Sequence, residues 1–189
     1  MTGWQWLFAL VAVVLLLGLL YRRGLAGRVD RMVLRLDSAR NALDAQLVRR
    51  AALVTDLAAT SLLDPASAVV LAEAAFAAQE AEPAEREGAE SALSQDLRAV
   101  FDELDDDFEE ELADLDPSGR QLITALATAC DRVVLARSFH NDAARATRDL
   151  CSRPSARILR ITPAMPTTGT FEIDDTPPRG LSGLVRRSA

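Results

Sequence analysis

The chain opens with an unbroken apolar run and then settles into a helical rhythm. From Leu7 to Leu20 it reads LFALVAVVLLLGLL with no charge, flanked by Trp4, Trp6 and Tyr21. With those flanks it is about 18 residues long, the short end of what spans a hydrocarbon core of ~30 Å. Trp and Tyr favour the headgroup region, so the flanks fit a transmembrane helix. No cationic side chain precedes the run, and Tyr21, Arg22 and Arg23 stand where a leader would need small residues. An uncleaved anchor is therefore expected.

Behind the anchor, apolar positions recur in steps of three, four and seven, which marks one face of a helix. Val29, Val33, Leu36, Leu43, Leu47, Val54 and Leu57 form the first stripe. No Pro or Gly intervenes from Arg28 to Leu63, so one long helix is expected there, with Gly24 and Gly27 offering a bend next to the anchor. Asp64-Pro65 ends it, because Pro disfavours helical geometry in the residue before it and suits the first position of a new helix capped by Asp. A second, Ala-rich helix is expected over about Pro65 to Ala81, with Val69, Val70, Leu71 and Phe76 as its larger apolar groups. It breaks at Glu82-Pro83. The third stripe runs Leu93, Leu97, Val100, Phe101, Leu104, Phe108, Leu112 and Leu115. Asp116-Pro117 repeats the boundary, and a fourth helix to about Cys151 carries Leu122, Ile123, Leu126, Ala129, Cys130, Val133, Ala136, His140, Ala143 and Leu150.

These stripes predict an all-α protein: a transmembrane helix followed by an antiparallel four-helix bundle with two long and two shorter helices. The expected organisation is an anchor with juxtamembrane arginines over 1–27, the bundle over 28–152, a closing segment packed on it over 153–175 and a disordered tail over 176–189. Pro154, Pro163, Pro166, Pro177 and Pro178 exclude long helices from the last part.

Composition changes this picture little, and charge changes it more. The 189 residues are 49% hydrophobic with only 5% aromatic, which suits helices packed through Ala. Every cation is Arg, and the cations are unevenly spread. Residues 22–61 hold eight Arg against four acids, residues 62–116 two Arg against eighteen acids, and residues 117–189 eleven Arg against six acids. The acidic middle repels phosphates, and the basic flanks lack interleaved aromatics, so nucleic acid is not an expected partner. Arg22, Arg23, Arg28, Arg31 and Arg35 follow the apolar run closely. By the positive-inside rule they put the N-terminus outside and the helical domain in the cytoplasm. Arg22, Arg23, Arg28 and Arg31 are expected to face lipid headgroups, each such contact contributing ~1 kcal/mol. A protein partner, if any, is expected at the acidic third helix; the pattern does not define an oligomeric state.

Little in the chain suggests chemistry. The acidic run lacks the Gly-centred loop of a calcium site, and its apolar period continues straight through. His140 is the only histidine, lies on the buried stripe and has no Cys or second His at zinc spacing. Gly-rich phosphate loops and a GxSxG nucleophile motif are absent. No catalytic residue, metal or cofactor is expected, and the protein is expected not to be an enzyme. Cys130 and Cys151, roughly 30 Å apart if on one helix, cannot bridge.

Three stretches resemble the LemA family of bacterial membrane-anchored helical proteins. The first is LDSARNALDAQLVRRAALVTDLAAT, Leu36 to Thr60, with Asp44, Gln46, Leu47, Arg49 and Arg50 at its centre. The second is DRVVLARSFHNDAARA, Asp131 to Ala146, matching at Ala136, Arg137, Phe139, Asn141, Asp142 and Ala143. The third is ARILRI followed by Phe171-Glu172. The resemblance covers about Arg28 to Asp175 and implies a helical bundle behind one membrane helix. It implies no reaction. The sequence departs from the family pattern at His140, where the family usually has Tyr, at Thr55 in place of a Pro, and in the acidic run. Asp44, Gln46, Arg49, Arg50, Arg137, Asn141 and Asp142 are the expected interhelical polar contacts, with Asp44, Arg49 and Arg50 of the first helix meeting Arg137 and Asp142 of the fourth in an antiparallel pairing. The function expected from all this is a membrane-anchored, non-enzymatic scaffold or adaptor; the alternative is an envelope-stress signalling component that transmits through the first long helix.

Overall fold

The computed structural model describes residues 3–102, 116–154 and 169–181. It is all-α, with four helices: α1 (Gly3–Ala58), α2 (Pro65–Glu80), α3 (Arg86–Asp102) and α4 (Pro117–Ser152). No strand occurs among the described residues. The anchor and the first bundle helix are one element, so the helix passes through Gly24 and Gly27 without a break. Leu104, Phe108, Leu112 and Leu115 of the third stripe, and the acidic residues around them, lie outside the described residues.

The helix ends follow from their caps. Asp64 Oδ1 accepts from the backbone N–H of Ala66 and Ser67, at 2.9 and 3.1 Å, with Pro65 at the first helical position. Asp116 plays the same part for α4, accepting from Gly119 N–H at 3.1 Å and from the Ser118 hydroxyl. Both carboxyls are held below their ordinary value, chiefly by the hydrogen bonds from Ser67 and Ser118. An Asp cap of this kind contributes ~1 kcal/mol. At the end of α1 the Thr60 hydroxyl and N–H both donate to the Leu57 carbonyl, closing the helix five residues before the Asp-Pro signal.

The chain forms two compact units. One comprises Met1–Ala39 and His140–Thr170, the other Arg40–Phe139 and Phe171–Ala189. In the first, the side chains from Trp4 to Tyr21 are exposed. The helix is long and apolar enough to cross a membrane, and none of its apolar window is buried. Such a surface is stable only against lipid or another apolar phase. This agrees with a membrane-associated protein that crosses the bilayer once. Further along, Leu25, Val29 and Leu36 are buried, as are His140, Ala144, Thr147 and Cys151.

In the second unit, parts of all four helices share a core. Ala51, Val54 and Leu57 of α1, Leu71, Ala74, Ala75 and Ala78 of α2, Leu93, Leu97 and Phe101 of α3, and Ile123, Leu126, Ala127 and Cys130 of α4 form one cluster, which Leu181 joins. A smaller cluster unites Leu43, Leu47, Val133 and Ile173. The larger apolar groups of α2 behave differently from Leu71: Val69, Val70 and Phe76 are exposed, and the helix packs through its alanines. Small residues allow that close approach.

Residues 171–181 cross this unit as an extended strap ending in a helical turn at 179–181. The expected disorder from 176 onward does not hold for 176–181. Pro178 is buried and Leu181 is 1% exposed, so the apolar gain holds the segment down. Residues 182–189 lie outside the described residues.

Candidate functional site

Arg50 is the largest fully buried side chain, 2% exposed, and it is charged. Its Nη2 donates to Glu90 Oε2 at 2.7 Å and to the Glu90 carbonyl at 3.2 Å, and its Nη1 to Ser94 Oγ at 2.9 Å. Ser94 in turn donates to the Glu90 carbonyl at 2.9 Å. Glu90 and Ser94 are as deeply buried as Arg50. The pair thus satisfies most of its own polar atoms, although Arg50 Nε is buried with no hydrogen-bond partner. Six residues earlier on α1 and four earlier on α3, Asp44 meets Arg86 at 3.4 Å, part-exposed. These two pairs run in the same order along α1 and α3, so the two helices are parallel. Cys130 is buried nearby: loss of hydration pushes its thiol up to about 11, and the Arg50 charge offsets that only in part. A thiol in that state is protonated at neutral pH and a poor nucleophile.

The expected pairings are therefore corrected. Arg50 and Asp44 do reach another helix, but it is α3 and the partners are Glu90 and Arg86. Among the described ion pairs, neither Arg137 nor Asp142 takes a partner on α1. Arg137 Nε and Nη2 donate to the two carboxylate oxygens of Asp175 in the strap, at 2.6 and 3.0 Å. Asp142 takes Arg145 Nη1, one turn along the same helix, at 3.3 Å. Asn141 is buried. Gln46 is half-buried, and its Oε1 is enclosed without a hydrogen-bond donor among the described residues. Arg22, Arg23, Arg28 and Arg31 are all exposed, as a lipid-facing role requires.

Sequence reasoning missed the clamp on the strap. Arg98 of α3 grips Asp174 with both terminal nitrogens, at 2.5 and 3.0 Å, while Arg137 of α4 grips Asp175. Backbone N–H groups of the strap add to this: Glu172 donates to Glu87 Oε1, Asp174 to Ser91 Oγ, and Arg179 to Asp102 Oδ1. Two neighbouring acids held by forked guanidiniums on two different helices fix the strap's register. The only trace in the sequence is the Asp174-Asp175 doublet beside Ile173, which has no periodicity to reveal it.

Arg49 turns away from the core. It lines a groove of about 590 Å³ together with Arg120, Gln121, Thr124, Thr128 and Arg132 of α4. The three arginines are exposed. No carboxylate lines the groove among the described residues.

No group of three or more His, Cys, Asp or Glu side chains that could hold a metal occurs among the described residues. One buried ion pair, a protonated core thiol and an arginine-lined groove are among the polar features of this unit. No family model, curated protein or solved structure matches the chain.

Proposed function

We propose that this chain is a membrane-anchored, non-enzymatic scaffold or adaptor of LemA type, with its helical domain in the cytoplasm. The observation that carries the reading is α1. Its exposed apolar start demands a lipid environment, and the same helix, Gly3–Ala58, supplies Leu43, Leu47, Val54 and Leu57 to a bundle core. The polar residues quoted for the LemA resemblance support it in a structural sense, since Arg50 and Arg137 tie α1 and α4 to α3 and to the strap. Docking of a basic protein partner is assigned to the acidic segment around Asp105, Asp106 and Asp107, whose run of negative charge would attract it.

A second reading is favoured by the same unbroken helix: a signalling component in which α1 carries a membrane state to the bundle. One experiment separates the two. The full chain is purified from native membranes as wild type, with Asp105, Asp106 and Asp107 changed to Arg, and with two glycines inserted after Arg28. A scaffold loses partners on charge reversal and keeps them after the insertion. A transmitting helix shows the opposite pattern. Unchanged partners in both variants remove the support for either.

A further inference from the structure

The strap lies along α3 in a fixed register. Its Glu172 N–H meets Glu87, its Asp174 N–H meets Ser91, and its Arg179 N–H meets Asp102. Arg98 Nη1 donates to the Thr176 carbonyl at 3.1 Å as well as to Asp174. Glu87, Ser91, Arg98 and Asp102 follow at steps of four, seven and four, which sets them in one row on one face of α3. From Glu87 to Asp102 the helix rises about 22 Å at ~1.5 Å per residue. An extended chain covers nearly the same length from Glu172 to Arg179 at ~3.3 Å per residue. Helix and strap therefore stay in step, and four backbone polar groups of the strap end on side chains of α3. The strap's own side chains are read as well. Ile173 joins Leu43, Leu47 and Val133, Pro178 is buried, and Asp174 and Asp175 each fill a guanidinium fork. Main-chain hydrogen bonds joined to pockets for selected side chains are how extended peptides are recognised.

The strap is also built to come away. The Arg98 and Arg137 side chains are 23% and 25% exposed, against 2% for Arg50. Lifting the strap returns these two charges to water, whereas breaking the Arg50–Glu90 pair would strand a buried one. The bonds at Glu172, Thr176 and Arg179 are open to solvent, as in segments that open below the global unfolding free energy. What the strap leaves is an apolar groove between two cations, and its charge selects an acidic occupant.

We propose that this groove, between α3 and α4, is a receptor for an extended segment of another protein. That segment carries an apolar residue followed by two carboxylates and, a few residues on, a proline; the strap is its internal competitor. The site is separate from the acidic docking segment of the scaffold reading, and its test uses purified components alone. The probe is a fluorescein-labelled synthetic peptide of residues 170–182, titrated by anisotropy into the full chain in neutral detergent micelles at low salt. The receptor carries Asp174→Arg and Asp175→Arg, so that Arg98 and Arg137 repel its own strap. One saturable site is expected, about tenfold tighter than on the wild type, where the tethered strap competes. Adding Arg98→Gln and Arg137→Gln to the receptor is expected to weaken it about tenfold, as are Asp174→Asn and Asp175→Asn in the peptide. Circular dichroism melts show whether the charge-reversed chain folds. If it does not, the wild type carries the test: excess unlabelled peptide should move the amide signals of residues 171–181 in a ¹⁵N-labelled chain to those of the free segment. No saturable binding to the folded charge-reversed chain overturns the proposal, as does affinity indifferent to Arg98 and Arg137, or strap signals that excess peptide leaves in place. Wild-type dimers that the peptide splits would make the occupant a second copy of this chain and overturn its assignment to another protein.

Discussion

Arg49 and Arg50 are neighbours in the chain, yet one lies in water and the other in the core. The cause is the angle of about 100° between successive residues of a helix with 3.6 residues per turn. Arg50 falls on the stripe of Leu43, Leu47 and Val54, and Arg49 falls beside it. A buried ion pair stabilises little by itself, because both charges give up their hydration. Removing one partner is another matter. Arg50→Ala leaves Glu90 enclosed and uncompensated, and is expected to cost about 3–5 kcal/mol in denaturant unfolding followed by circular dichroism. The double change Arg50→Met with Glu90→Leu is expected to recover most of that loss, since packed apolar groups replace both charges. A double variant as unstable as the single one would show that the network, and not its charges, is what the core needs.

At the scale of the element, the strap is held by two kinds of force that fail differently. Its apolar residues Ile173 and Leu181 respond to packing, and its Asp174 and Asp175 to charge. The hydrogen bonds from Arg98 hold the Asp174 carboxyl below its ordinary 3.8. A depressed folded value means that the stabilisation is complete above the unfolded value and is lost as pH falls through the folded one. Hydrogen exchange of residues 171–181 should therefore stay slow down to about pH 4 and accelerate below it. Packing is tested at Gly180, where an added Cβ would overlap the carbonyl oxygen of Phe101. Backbone cannot yield as a flexible side chain does, so Gly180→Ala should release the turn at 179–181 and expose Leu181 at neutral pH. Protection of 171–181 equal to wild type in that variant would contradict the packing account. The Asp-Pro boundaries at Asp64 and Asp116 were legible in the sequence because a cap and a proline act locally. A closing segment on the bundle was expected as far as residue 175, but the clamp that holds it was not, because the side chains that bind it by hydrogen bonds lie 75 or more residues away or, for Arg137, 38.

For the whole molecule the decisive feature is an apolar helix surface that no described residue covers. From Trp4 to Tyr21 every large apolar side chain is at least 49% exposed, which only a lipid phase makes tolerable. Arg22, Arg23, Arg28 and Arg31, all exposed, stand directly after it and set the expected direction of insertion. A phosphatase and a fluorescent reporter fused in turn to the C-terminus should give fluorescence and no phosphatase activity, with the protein resisting alkaline extraction from membranes. Active phosphatase would reverse the topology without touching the fold.

The order of apolar and polar residues by itself determined the apolar N-terminal helix, the helices behind it, the Asp caps of α2 and α4 and most of the buried stripe on α1 and α4. These depend on periodicity and on side chains within one turn of each other, which the chain displays directly. Tertiary structure alone decided which polar groups meet. Arg50 chooses Glu90, Arg137 chooses Asp175, and α2 turns its alanines inward while Val69, Val70 and Phe76 face out. The physical reason is that charge is long-ranged and has no period: an arginine can match any carboxylate until packing brings one within reach of a hydrogen bond and shuts the others out.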